Sequence, residues 1–148
     1  MANLKPEQDL IDLFVDALRL STDLEICLDT LYNKNCKSKT YADIEYKSRS
    51  GVHWVIEAKS NVSSDAHNTV HKIFGELLKE TGRTSRNCFK HAVLIPENSK
   101  KFYSRLFQSI NREKFIGFGK LIPIDTVFTF GSSGIIQISW VELYDFFY

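Results

Sequence analysis

The stretch from Thr40 to Ser60 limits what this chain can fold into more than any other. Its first half alternates, with Ala42, Ile44 and Tyr46 on one side and Asp43, Glu45 and Lys47 on the other. Strict alternation over such a length is the signature of a strand from Tyr41 to Lys47 with unlike faces. Ser48-Arg49-Ser50-Gly51 is small, polar and glycine-bearing, as a hairpin connection requires. The second half, Val52 to Lys59, is rich in β-branched and aromatic residues and reads as the return strand. Period two places Val52, Trp54, Ile56 and Ala58 on one face and His53, Val55, Glu57 and Lys59 on the other.

The hairpin carries charges where its apolar content predicts burial. Asp43, Glu57 and Lys59 all sit in these strands, and Glu57 and Lys59 share a face. Charged groups are rarely buried without a partner or a metal. Two carboxylates brought together repel unless a proton or a cation lies between them. A hard divalent ion such as Mg²⁺ takes oxygen ligands of this kind and keeps several waters. A lysine beside it can hold or polarise an attacking water, so the set suits metal-assisted attack on a phosphodiester. The plain structural reading is a cross-strand ion pair between Asp43 and Lys59, with Glu57 a solvated edge residue.

Asp43 followed by Glu57-Ala58-Lys59 at the end of the next strand resembles the PD-(D/E)XK nuclease superfamily, which has the restriction-endonuclease-like fold. The resemblance implies metal binding by Asp43, Glu57 and the main-chain carbonyl of Ala58, with Mg²⁺ or Mn²⁺ as cofactor. It implies that Lys59 positions the nucleophile, and that the substrate is a nucleic acid, DNA in preference to RNA. The family often has proline before the aspartate; this chain has Ala42. In some branches a glutamate on the first helix reaches the metal, and Glu7 is the glutamate available for that accessory role. The motif is short, and its weight comes from its context of helices before and after the hairpin.

Pro6 to Leu20 reads as the preceding helix. Proline suits its first turn, and Glu7 and Asp9 complement the dipole. Leu10, Leu13, Phe14, Ala17 and Leu18 recur at helical spacing, with Ile11, Val15 and Leu20 widening the stripe. Asp23 to Tyr32 reads as a strand, so a helix and a three-stranded antiparallel meander open the chain. Asp65 to Thr81 reads as a second helix with Val70, Ile73, Phe74, Leu77 and Leu78 on one side, stopped by Gly82. His91 to Pro96 is a short apolar run that fits a strand buried on both faces, of the kind that runs parallel to a neighbour. The expected fold is therefore α/β, a central mixed sheet flanked by helices with an α-β-β-β-α-β core, in one domain over residues 1–148.

Lys100 to Asn111 reads as a third helix, with Phe102, Leu106 and Ile110 inward and Tyr103 and Phe107 beside them. Phe115 to Gly119 reads as a glycine-broken apolar loop. Leu121 to Phe130 and Gly134 to Ser139 read as two strands around the turn Gly131-Ser132-Ser133-Gly134. Ser139-Trp140-Val141-Glu142 is a capping-box pattern opening a terminal helix. Trp140, Leu143, Tyr144, Phe146 and Phe147 make an aromatic C-terminus that either closes the core or forms a homodimer interface.

A net charge of +1 does not by itself announce a nucleic-acid binder, but charge is unevenly spread. Residues 1–31 are acidic, whereas residues 79–120 are basic. Arg83, Arg86, Lys100 and Lys101 are therefore candidates for phosphate contacts. His71 and Lys72 on the second helix are accessory candidates near the site. His67 and His71, four apart, allow a zinc site in principle, but no further ligands stand at recognisable spacing. Cys27, Cys36 and Cys88 are odd in number and read as free thiols of a reducing compartment. With no run of about 20 apolar residues and no signal-peptide core, a cytoplasmic location is expected, with no membrane partner. The alternative to a nuclease is the same fold with its chemistry lost, serving as a binding or assembly module.

Overall fold

In the computed structural model, the residues described are 6–37, 42–59, 74–75, 79, 89–121 and 124–146. Helix α1 (Pro6–Arg19) is followed by strands β1 (Leu28–Asn33), β2 (Ile44–Ser48), β3 (His53–Ala58) and β4 (Phe89–Pro96). A 3₁₀ turn at Glu97–Ser99 leads into α2 (Lys100–Phe107) and α3 (Arg112–Leu121). The chain continues as β5 (Ile124–Gly131), β6 (Gly134–Ser139) and α4 (Trp140–Asp145). Phe74, Gly75 and Lys79 are helical, inside the helix expected between β3 and β4; the rest of that expected helix lies outside the described residues.

The strands form one sheet in chain order, β1-β2-β3-β4-β5-β6. The first three are antiparallel neighbours, β3, β4 and β5 run parallel, and β6 returns antiparallel. The sheet is therefore mixed and flanked by helices, an α/β architecture. Among the described residues, no helix is long and apolar enough to cross a membrane.

Alternation along the strands divides the core between the two faces of the sheet. On the first face, Ile11, Phe14, Val15 and Leu18 of α1 pack against Ile44, Tyr46, Trp54, Ile56, Ala92, Leu94 and Phe128. On the second, Val93, Ile95 and Val127 meet Tyr103, Phe107, Phe115, Trp140 and Leu143 from α2, α3 and α4. A fully buried side chain of this size contributes about 1.5–3 kcal/mol, so each face is an independent source of stability. Phe74 sits edge-on to Phe115, Phe118 and Trp140, within the second core.

Four local readings shift. The buried stripe of α1 is Ile11, Phe14, Val15 and Leu18, whereas Leu13 and Leu20 are 59% and 85% exposed. Both leucines have the right spacing for a helical stripe, but the sheet contacts a narrower arc. β1 begins at Leu28 and not at Asp23. Asp23 instead closes a turn: its carboxylate accepts from Glu25 N–H at 3.0 Å, and its carbonyl accepts from Ile26 and Cys27 N–H. The expected helix from Lys100 to Asn111 ends at Phe107, with Tyr103, Ser104 and Phe107 as its buried residues.

The fourth shift is at Phe115–Gly119, which is helical and not a loop; the helix runs on through Leu121, so the strand expected from Leu121 begins at Ile124. Asn111 caps that helix, its side-chain oxygen accepting from Glu113 and Lys114 N–H. Gly119 is required by close approach. A Cβ there would lie 2.4 Å from Cδ1 of Trp140, whose ring stacks on Phe115 at 4.2 Å. The capping box holds as read: Ser139 Oγ accepts from Glu142 N–H, and Glu142 Oε1 accepts from Ser139 N–H. Trp140, Leu143 and Tyr144 are buried in the chain's own core, and Phe146 is exposed.

Candidate active site

β2 and β3 pair with Ile44 opposite Ile56, Glu45 opposite Val55, Tyr46 opposite Trp54 and Lys47 opposite His53. Continuing that register one step places Asp43 opposite Glu57, on the face away from α1. The hairpin thus does what its alternation required, since a slip of one residue would have sent the carboxylates into the first core. Asp43 stands just before β2, and Glu57 and Lys59 stand at the end of β3. Glu57 is only 5% exposed, so it is not the solvated edge residue of the plain structural reading, and Lys59 is 7% exposed.

Asp43 is held from two sides. Its Oδ2 accepts from Ala58 N–H at 2.9 Å, which fastens the start of β2 to the end of β3. Asn33, at the end of β1, donates its amide N–H to the carbonyls of Ala42 at 2.6 Å and Asn35 at 3.2 Å. The backbone of Lys59 is tied to β4 by donation to the Leu94 carbonyl at 2.8 Å. Glu57 therefore hangs from a paired strand, and Asp43 and Lys59, one residue outside β2 and β3, are fastened to neighbouring strands by hydrogen bonds to backbone groups, an arrangement that keeps a site rigid.

Burial pushes the Asp43 carboxyl up from 3.8 to about 6; the Glu7 carboxylate adds to the rise. The Ala58 N–H, a hydrogen bond from the Glu57 side chain and the Lys59 charge oppose it. A hydrogen bond between two carboxyls needs a proton on one of them, and the raised Asp43 pKa lets this pair keep one below about pH 6. Glu7, at the start of α1, acts on Asp43 through its charge. Cys36 belongs to the same neighbourhood. Burial raises its thiol, and the Asp43 and Glu7 charges raise it further. Nothing in the sequence marks Cys36 for that position; Gln8 of α1 carries it there by accepting its backbone N–H at 3.1 Å.

One cluster on the same face went unmarked in the sequence reading. Glu45, two residues from Asp43, is buried, and its carboxylate meets His53 Nε2 at 2.9 Å. The His53 ring is stacked between Tyr32 at 5.1 Å and Phe89 at 3.8 Å. His91 lies opposite Val55 on β4, and its burial lowers its pKa while the Glu45 charge raises it. The legible signal was Glu45 itself, a second carboxylate on the Asp43 side of the strand.

The remaining candidates separate. Lys100 reaches over the Phe146 ring at 4.3 Å and lies beside Glu142 in a surface cleft; Lys101 is exposed on α2. His67, His71, Lys72, Arg83, Arg86 and Cys88 lie outside the described residues. Among the described residues, no group of three or more His, Cys, Asp or Glu side chains is placed to cage a metal. Two facing carboxyl groups still fit a hard divalent ion that keeps most of its waters, because such ions commonly use one or two protein carboxylates. Comparison with known proteins yields no matching family model, no matching curated protein and no matching solved structure.

Proposed function

We propose that the chain is a divalent-metal-dependent nuclease that hydrolyses phosphodiester bonds, with DNA as the preferred substrate. The observation that carries this reading is the pairing of half-buried Asp43 with buried Glu57, with Lys59 on the same face. A helix, three antiparallel strands and a fourth strand parallel to the third support reading the fold as restriction-endonuclease-like. The preference for DNA comes from the motif's resemblance alone.

Asp43 and Glu57 would hold Mg²⁺ or Mn²⁺, with the Ala58 carbonyl as the further oxygen. When bound, such an ion supplies charge stabilisation to the phosphate oxygens and the leaving oxygen. The chain's own groups prepare the rest. Burial at the sheet keeps the two carboxyls from being solvated separately, so they are poised to exchange a bound proton for a cation. Lys59, anchored through its backbone to β4, presents an ammonium that can donate to an attacking water or to a phosphate oxygen. Glu7 adds negative charge near Asp43 and can act through a bridging water.

A binding or assembly module remains the second reading. It is favoured by one observation: the Ala58 N–H bond gives Asp43 a bracing role that needs no chemistry. Cleavage of labelled single-stranded, duplex and branched DNA by wild type and Lys59→Ala decides between them. Metal-dependent cleavage by the wild type, lost in the variant and in EDTA, establishes the nuclease. Equal cleavage by both assigns the activity elsewhere. Absence of cleavage and of any metal-induced rise in melting temperature moves the chain to the binding class.

A further inference from the structure

The two edges of the sheet are built differently. At β1, two register shifts interrupt the pairing with β2, and Asp29 is exposed. Bulges and edge charges are the devices by which proteins keep a free edge from pairing with another chain. At β6, none of them is present. Gly134-Ile135-Ile136-Gln137-Ile138-Ser139 has no charged residue and no proline, and it pairs with β5 without a register shift. Among the described residues, no segment lies beyond it in the sheet. Ile136, at its middle, is 37% exposed.

We infer that the β6 edge pairs with the β6 edge of a second copy of this chain, antiparallel about a two-fold axis. Self-pairing is what an uncharged strand allows, because no like charges are brought opposite each other. A two-fold interface must be complementary to itself, and antiparallel pairing sets the mixed-charge rim of one copy against the uncharged turn of the other, so no like charges meet there either. A cleft of about 320 Å³ beside the strand's end is lined by Lys100, Glu142, Asp145, Ile138 and Phe146. Antiparallel pairing lays the Ser132–Ser133 turn of each copy next to the other's cleft. The interface is then the strand edge and its rim, not the aromatic C-terminal core, since Trp140, Leu143 and Tyr144 are already buried within one chain.

The inference does not depend on the nuclease reading. In the joined sheet, seven strand spacings of about 4.8 Å separate the two β3 strands, about 34 Å in all. Neither copy completes the other's Asp43–Glu57 pair, so dissociation leaves metal binding and any cleavage chemistry in place.

The test is the mass of the full chain by light scattering or sedimentation, from micromolar to sub-millimolar concentration, for wild type and Ile136→Lys. The wild type is expected at the mass of two chains. Ile136→Lys is expected at the mass of one, with its thermal unfolding little changed. Because that variant can fail to fold, Gln137→Cys and Asp29→Cys are oxidised mildly in parallel. A disulfide-linked dimer from Gln137→Cys but not from Asp29→Cys is the expected result. A wild type that stays monomeric, an Ile136→Lys chain that folds and stays dimeric, or equal cross-linking at both edges overturns the inference. Metal-dependent cleavage by a monomeric wild type would overturn it while leaving the nuclease reading intact, and a dimer without cleavage would do the reverse.

Discussion

Asp43→Asn should make the metal-free protein more stable, although it removes a candidate catalytic residue. Burial raises the Asp43 carboxyl from 3.8 to about 6. A displacement of that size corresponds to about 3 kcal/mol of preference for the protonated form. Asp43 is only half-buried, so about 2 kcal/mol is the fairer expectation after screening. The sign follows from linkage. The folded-state value lies above the unfolded one, so the stabilising contribution is complete below about pH 4 and disappears as pH rises through about 6. At pH 8 without metal, the wild type therefore holds a carboxylate in a place that favours a neutral group. Asparagine is neutral at every pH. Its side-chain oxygen can still accept from Ala58 N–H, and its amide can donate to Glu57. At roughly 2–4 °C per kcal/mol for a chain of this size, Asp43→Asn should melt about 4–8 °C above wild type at pH 8 in EDTA. The gap should close toward pH 4. Added Mn²⁺ should raise the wild type and leave the variant where it was. A variant that melts at or below the wild type at pH 8, or that responds equally to Mn²⁺, refutes the reasoning about this pair.

Glu7→Gln removes a charge that pushes Asp43 upward. The pH midpoint for Mn²⁺ binding, followed by melting temperature, should therefore move down by less than one pH unit, about 1.4 kcal/mol at most. Gly119→Ala should destabilise by about 1–3 kcal/mol by overpacking. Its Cβ meets a Trp140 ring that is fixed by stacking on Phe115 and by Nε1 donation to the Phe115 carbonyl at 2.8 Å. Gly117→Ala, in the same helix with nothing within 4 Å of its Cβ, should instead stabilise by up to about 1 kcal/mol. Urea unfolding of the pair checks both signs. Ser139→Ala removes the half of the capping box that its Oγ makes with Glu142 N–H, leaving the backbone donation to Glu142 Oε1, and should cost about 1 kcal/mol in the same assay.

The hairpin was legible because its signal is local. Alternation and a glycine-bearing turn mark both strands and their polar faces, while the register that brings Asp43 opposite Glu57 comes from a turn closing one residue tighter than read, between Ser48 and Val52. The capping box at Ser139 was legible for the same reason, since both partners lie within four residues. What escaped is what tertiary packing decides. Gly117 and Gly119 argue against a helix by propensity, yet Trp140 needs a residue without a side chain at 119, and the aromatic core repays the loss. Leu13 and Leu20 fit the α1 stripe as well as Ile11 and Val15 do, and only the position of the sheet tells them apart. The start of β1 was misplaced because Asp23 satisfies the backbone of Glu25 to Cys27 in a turn, an option that alternation at Leu24, Ile26 and Leu28 conceals. Cys36 comes near Asp43 through Gln8, a partner 28 residues away that no pattern announces.

The clasp made by Asn33 and Gln8 also bears on how this chain can change over evolutionary time. Asn33 joins the end of β1 to the entry of β2, and Gln8 holds the Lys34 carbonyl and the Cys36 N–H against α1. Both ends of the connection leading to Asp43 are thus fastened independently of its middle. Doubling such a connection costs only about 0.6 kcal/mol in closure entropy. Insertions between Lys37 and Ala42 should therefore be tolerated without loosening either anchor. New recognition elements could be tried at this point in the sequence while the site they would serve stays fixed to the sheet.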